Sequence, residues 1–314
     1  MILITGGLGY LGGRIAENLL SQGRRVRLSS SNREAELPTG LNQAELVYMD
    51  VRDTDSIDNA CSGVKTIIHL AALNAQQSSD SPELAGIINV EGTRALMTSA
   101  HSSDVEGILY FSTIHVYGAP LVGRYDELSA LKATHPYAVT HGEAESLVLS
   151  DEFDSPKKRL VFRLSNAVGR PLHREANCWS LVVNDLCRQA VINKQVVVNS
   201  PPGVRRDYIA MSDVCAAVDF FLDESVQISG NTFNLSSGES VTLEEIATLI
   251  RNRAQEVLNI NVELNFQNDS TINDQLEISA DRLAQAGFSA TTGLEQEIDG
   301  LLSACHDWFM QGLQ

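Results

Sequence analysis

The first dozen residues constrain this chain more than any other stretch. An apolar run, Ile2-Leu3-Ile4, leads into Thr5-Gly6-Gly7-Leu8-Gly9-Tyr10-Leu11-Gly12, and Leu11, Ile15 and Leu19 then recur every four residues. The run reads as a short buried strand and the recurrence as one apolar face of a helix, so the glycines form the turn between them. Glycine there permits a tight turn, close backbone approach to a ligand and close packing of helix on strand. The helix start adds N–H donors and the positive end of its dipole. Strand, glycine loop and helix in that order read as a pyrophosphate cradle and place Gly6, Gly9, Tyr10, Leu11 and Gly12 at a dinucleotide site.

Five more short aliphatic or aromatic runs follow, at Arg25–Leu28, Glu45–Tyr48, Thr66–Leu70, Gly107–Ser112 and Leu160–Leu164, with helix-period segments between most of them. Such alternation predicts an α/β fold, a doubly wound, Rossmann-like parallel sheet, and Ile108-Leu109-Tyr110-Phe111 is apolar enough for the sheet centre. With 314 residues, 43% of them hydrophobic, the chain can bury a large core. Past Arg170 the rhythm loosens. A helix over Ser180–Ile192, a strand Val196–Val198, a helix from Ser212, a strand Thr232–Leu235 and a helix after Thr242, with Glu245 completing a capping box, form an α+β tail. The expected division is a dinucleotide-binding domain over 1–170, with a return segment near 205–228, and a smaller substrate-binding lobe over 171–314.

A net charge of −17 disfavours nucleic acid and anionic membrane surfaces as partners, so a phosphate-bearing ligand needs a local device such as the glycine loop. Five cysteines without CxxC or metal-like spacing read as reduced, mostly buried thiols, no metal site is expected, and no signal peptide or membrane span is visible. A cytoplasmic protein is expected. At the end of the second strand, Ser29-Ser30-Ser31-Asn32-Arg33 offers no carboxylate for an adenosine ribose 2′-hydroxyl. Ser30 and Arg33 tolerate or favour a 2′-phosphate instead, which tips the expected cofactor, NAD or NADP, toward NADP.

The remaining motifs come in a consistent order: Asp50-Val51, His69-Leu70-Ala71-Ala72, Asn89-Val90-Glu91-Gly92-Thr93, Ser112-Thr113-Ile114-His115-Val116-Tyr117-Gly118 and Pro136-Tyr137-Ala138-Val139-Thr140-His141. In order and spacing, over essentially the whole chain, they resemble the extended short-chain dehydrogenase/reductases, the sugar-nucleotide epimerases and dehydratases. The resemblance implies an NAD(P)-dependent enzyme that moves a hydride at a ring carbon, C4 foremost, of a nucleotide-activated sugar. It implies that Asp50 and Val51 meet the adenine, and that Leu70, Ala71, Ala72 and Asn89 line the cofactor. It makes Thr113 and Tyr137 the catalytic hydroxyls. His141 stands where the family carries a lysine that acidifies the tyrosine and binds the nicotinamide ribose. An imidazole one helical turn from Tyr137 still reaches the ribose but lacks a permanent charge, so either the imidazolium or the oxidised nicotinamide must supply it.

On the substrate side, Arg163-Leu164-Ser165-Asn166 and Gly203-Val204-Arg205-Arg206-Asp207-Tyr208-Ile209 resemble family segments in which the asparagine and an arginine hold the sugar nucleotide. Asn166 and Arg206 take those places, with His115 as a substrate contact or extra acid/base group. A tether from Arg206 to Asp207 or Asp213 is the structural alternative. The family's second diphosphate arginine is not visible over 267–274. Ile114-His115 replaces the Asp-Glu of the 4,6-dehydratases, which disfavours simple dehydration. A homodimer is expected by resemblance. Two rival functions stay open: an NADP-sensing binding protein or pseudoenzyme of the same fold, and a reductase of a non-nucleotide carbonyl compound.

Overall fold

Residues Ile2–Thr5 (β1) are buried along their whole length, as a strand covered on both faces must be. Around β1 are Val26–Ser30 (β2), Glu45–Tyr48 (β3), Thr66–His69 (β4) and Gly107–Thr113 (β5). The seven-stranded sheet runs Thr232–Leu235, Lys158–Leu164, β5, β4, β1, β2, β3. The pairs from Lys158–Leu164 through to β3 are all parallel. The chain builds outward from β1 in one direction through β2 and β3 and in the other through β4 and β5. The direction of winding therefore switches between β1 and β4, where crossovers diverge and leave a crevice at the carboxyl ends of the strands. This is the Rossmann-like doubly wound fold that the alternating pattern implied.

The computed structural model describes residues 1–226, 228–268 and 270–310. These fall into two units. The first comprises Met1–Leu121, Glu127–Leu164 and Glu224–Asn234. Its helices Tyr10–Ser21, Gly92–His101 and Pro136–Val148 bury their apolar faces, and Leu3, Ile67, Leu96, Ile108 and Val148 meet in one core cluster. The second unit comprises Val122–Asp126, Ser165–Asp223 and Leu235–Gln314, of which 269 and 311–314 lie outside the described residues, as does 227 in the first. Its helices Val182–Asn193, Leu243–Leu258 and Leu294–Met310 share a second core, with Cys187, Ile250 and Leu301 fully buried.

Thr242 caps the helix Leu243–Leu258 in a reciprocal box with Glu245. Two details differ from the sequence reading. The chain returns to the first unit over Glu224–Asn234 rather than near 205–228, and Thr232–Leu235 is the edge strand of the large sheet rather than part of a separate tail. Both choices depend on which distant strand offers a free edge, which local pattern does not encode. All five cysteines are buried and unbridged, and no helix among the described residues is long and apolar enough to cross a membrane.

Helix Pro136–Val148 is fastened to the sheet by a buried ion pair. Arg163, 7% exposed, donates from Nε and Nη2 to the carboxylate of Glu145, 3% exposed, with Nη2 to Oε2 at 2.8 Å. Its Nη1 donates to Tyr117 Oη at 3.1 Å, and that hydroxyl donates onward to Asn234 Oδ1. Removing one partner strands the other charge in the interior. Arg163→Met should therefore lower stability by about 3–5 kcal/mol in urea titration, and Arg163→Met with Glu145→Leu should recover most of that loss, because an apolar pair has no charge to desolvate.

Candidate active site

The crevice at the switch point is a cavity of about 410 Å³ whose walls include Gly6, Gly9, Ser30, Asp50, Leu70 and Ala72. Gly6 has φ of +64°, the left-handed region that favours glycine, and a Cβ on Gly12 would stand 2.6 Å from the Gly6 carbonyl oxygen. Helix and loop can touch only because Gly12 carries no side chain. Exposed Gly9 caps helix Tyr10–Ser21, whose first turn holds Tyr10, Leu11 and Gly12 and no acidic residue. A pyrophosphate placed here would meet backbone N–H groups and a helix dipole without a competing carboxylate in the first turn. The residues present fit a dinucleotide.

At the end of β2 the wall consists of Ser29, Ser30 and Ser31. Arg33 lies flat over the Tyr48 ring, 3.6 Å from its centroid. Asp50 accepts from Arg52 Nε at 2.9 Å and Nη2 at 2.5 Å, which holds its carboxyl below the usual carboxylate range. Arg52, a wall residue that the sequence reading passed over, is betrayed only by its place two residues after Asp50. Val51, Ala71 and Leu73 complete this side. Asn89 is 1% exposed, and its side chain bonds within the fold: Oδ1 accepts from Leu73 N–H at 2.8 Å and Nδ2 donates to Thr140 Oγ1 at 3.0 Å.

Donor counting orients a longer chain of bonds behind the cavity. Thr93 Oγ1 donates its one proton to the Asn89 carbonyl at 2.6 Å, so it accepts from His69 Nε2 at 3.0 Å. His69 Nδ1 is then bare and accepts from Thr5 Oγ1 at 2.7 Å, while that hydroxyl accepts Leu70 and Ala71 N–H, each at 3.1 Å. Burial drives the His69 pKa down to about 3, with the nearby His141 ring adding to the effect, so the imidazole is neutral. At the other end Thr140 donates to the Pro136 carbonyl at 2.9 Å. The glycine-loop strand, β4 and the helix of Tyr137 are therefore joined by one directional network.

Tyr137 opens that helix. Its side chain is hydrogen-bonded to Thr113, whose Oγ1 also accepts the backbone N–H of His115 at 3.2 Å. Burial pushes the Tyr137 pKa up, and the Thr113 hydroxyl offsets part of the rise. His141 packs against Tyr137 with ring centroids 4.3 Å apart and donates from Nδ1 to the Tyr137 carbonyl at 2.8 Å. Burial holds its pKa near 4, outweighing the help from that carbonyl, so Nε2 carries no proton near neutrality. A separate cavity of about 190 Å³ is lined by Tyr137, His115, His135, Ala75, Gly118 and Ala119. His135 was not foreseen. It caps the helix, accepting Tyr137 N–H at Nδ1 (3.2 Å) and so donating from Nε2 to Ser79 Oγ (2.8 Å); the Pro at the first helical position is the sequence signal for a cap there.

Asn166 and Arg206 belong to the second unit. Asn166 Nδ2 donates to the Asp207 carbonyl at 2.8 Å across the parallel pairing of their strands. The Asp207 carboxylate accepts from the backbone N–H groups of Ser237 and Gly238, and that of Asp213 from the N–H and hydroxyl of Thr292. Neither aspartate tethers Arg206, whose buried Nε has no hydrogen-bond partner among the described residues. The 267–274 segment belongs to this unit, with Asp269 outside the described residues.

The model of a family described as the NAD dependent epimerase/dehydratase family matches residues 2–236. The low-salt glycan biosynthesis protein Agl12 of Haloferax volcanii is 26% identical, covering 98% of this chain and 98% of its own length. The UDP-glucose 4-epimerase of Rhizobium meliloti is 25% identical over 86% of this chain and 87% of its own. Among solved structures, the UDP-glucose 4-epimerase of Thermus thermophilus, in complex with NAD, superposes with a TM-score of 0.78 at 22% identity, covering 98% of this chain and 99% of that one.

Two outcomes follow from this geometry. Gly9→Glu should abolish NADH binding in a fluorescence titration while leaving the melting temperature within a few degrees, because the new carboxylate opposes the phosphates at the helix start. Stability should also fall in acid. The unfolded chain protonates histidine near pH 6.5, whereas buried His69 and His141 resist until about 3 and about 4. Stability present above pH 6.5 is thus lost as pH falls toward 4, at roughly 1.4 kcal/mol per pH unit per group. Urea midpoints at pH 7 and pH 5 should separate, and His141→Gln should narrow the gap.

Proposed function

The chain is an enzyme of the NAD dependent epimerase/dehydratase family, and on that premise we propose that it acts at a ring carbon, C4, of a nucleoside diphosphate sugar, with Tyr137 moving the proton. The observation that carries the reading is the Thr113–Tyr137 hydrogen bond, together with the placement of Tyr137 on the wall of the 190 Å³ cavity. Relatives named as 4-epimerases, such as that of Rhizobium meliloti, support the choice of C4. Gly6, Gly9 and Gly12 would hold the dinucleotide pyrophosphate, and Leu70, Ala71 and Ala72 its flank. When bound, the nicotinamide exchanges the hydride. Tyr137 Oη gives or takes the hydroxyl proton, and Thr113 Oγ1 holds the same oxygen in place. His141 Nε2, being unprotonated, would accept from a ribose hydroxyl, where a lysine would donate.

Arg206 is assigned to the diphosphate. Its free Nε and its independence from Asp207 and Asp213 support that role, since a planar guanidinium suits bidentate phosphate binding. The serine-lined end of β2, with Arg52 on the same cavity wall, supports acceptance of a 2′-phosphate and hence NADP.

Thermal-shift titration with UDP, GDP, CDP and dTDP, with and without NADH or NADPH, tests the reading, because a ligand that binds only the folded state raises its stability. At least one nucleoside diphosphate should bind. Arg206→Ala should weaken it about tenfold or more while leaving dinucleotide affinity within twofold. Dinucleotide binding with no nucleoside diphosphate binding would favour a sensor or a reductase of other carbonyl compounds. Tyr137→Phe should bind NADPH normally and lose nearly all turnover.

A further inference from the structure

We propose that this site receives a nucleoside diphosphate sugar that already carries a ring carbonyl, with Tyr137 as its resident proton donor, rather than starting from the sugar alcohol. The proposal rests on the reading of Tyr137 as the proton-transfer group. Beginning from an alcohol requires a phenolate at Tyr137 Oη, and a phenolate requires a cation or several donors around it.

The groups packed about Tyr137 supply neither. From β5, Thr113 offers one hydroxyl and Tyr110 a buried phenol. On the same helix His141 is 3% exposed, its one N–H is committed to the Tyr137 carbonyl at 2.8 Å, and its ring lies 4.3 Å from that of Tyr137. Behind His141 stands His69, kept neutral by burial, with Thr5 and Thr93 fixing which nitrogen holds the proton. The cap residue His135 accepts Tyr137 N–H, so its bare nitrogen faces the helix. His115, on the turn after β5, touches Thr113 through its backbone N–H. Glu145, one turn past His141, is matched by Arg163, whose Nη1 goes to Tyr117 Oη and the Glu127 carbonyl. Among the described residues, burial and the Thr113 hydroxyl act on the Tyr137 phenol, and no lysine or arginine does.

A phenol whose pKa is not lowered from about 10 is under about 1% ionised at pH 7.5, so the base form is scarce and the acid form is complete. Reduction uses the acid form. As the carbonyl carbon accepts hydride from its co-reactant, a reduced nicotinamide dinucleotide, the C=O π pair moves onto oxygen. Tyr137 Oη donates its proton there, giving the ring hydroxyl, and the tyrosinate is reprotonated from solvent. The reaction that feeds this enzyme must then leave a ketone on the sugar ring, by oxidation of a hydroxyl or by loss of water.

The test is a tyrosinate titration at 295 nm from pH 6 to 11, wild type minus Tyr137→Phe, with and without NAD+. The Tyr137 step is expected at or above pH 10, and His141→Lys should lower it by at least one unit. A wild-type step between pH 7 and 8 would overturn the proposal. Should Tyr137→Phe not fold, 13Cζ-tyrosine NMR of the wild type reads the same ionisation. Oxidation of UDP-, dTDP-, CDP- or GDP-glucose with NAD+ should be undetectable at pH 7 or rise about tenfold per pH unit toward pH 9, and a pH-independent rate would also contradict it. If no nucleoside diphosphate binds at all, the substrate assignment fails on its own while the titration still reports the state of Tyr137.

Discussion

The buried chain from Thr5 through His69, Thr93 and Asn89 to Thr140 is the constraint on which the rest of this site depends. Each hydroxyl in it has one proton to give, and each gift fixes the next group's role. The consequence is a neutral His69 of one tautomer, held at the end of β4. A polar network this deep is favourable only when every member is satisfied, so it specifies a single arrangement of glycine loop, strand ends and helix. The cofactor crevice and Tyr137 inherit their positions from it.

The same interior explains the character of the chemistry. The surface carries a net charge of −17, yet around Tyr137 the chain has assembled hydroxyls and neutral imidazoles. On the proposed reading, phosphate would be met by backbone dipoles at the glycine loop and, in the second unit, by Arg206, whose Nε has no hydrogen-bond partner among the described residues. On the resemblance, His141 stands where a lysine is expected, whose fixed charge would favour the tyrosinate. The imidazole packs against the rings of both Tyr137 and Tyr110.

Local features were legible in the sequence. The strand–glycine–helix unit, the capping box at Thr242 and the fully buried interior strand Gly107–Thr113, next to the middle strand of the sheet, are encoded by neighbours a few residues apart. Partners far apart in sequence were not legible. Nothing near Gly123–Tyr125 announces that it pairs with Leu276–Ile278, and the edge position of Thr232–Leu235 depends on Lys158–Leu164 having a free side. Residues of the site show the same limit. Thr113, Tyr137 and His141 come together through motif spacing, whereas the engagement of Asn89 with Thr140 and Leu73, and of Asp50 with Arg52, follows from tertiary contacts.

The central claim is that a nicotinamide dinucleotide and a nucleoside diphosphate sugar occupy this chain together, with the sugar ring beside the nicotinamide. An interligand NOE spectrum of the protein with NADH and, in turn, UDP-, dTDP-, CDP- and GDP-glucose measures that proximity directly. Cross-peaks between nicotinamide ring protons and hexose ring protons are expected with at least one of the four. Clear transferred NOEs for NADH with no hexose cross-peak for any of them would contradict the account.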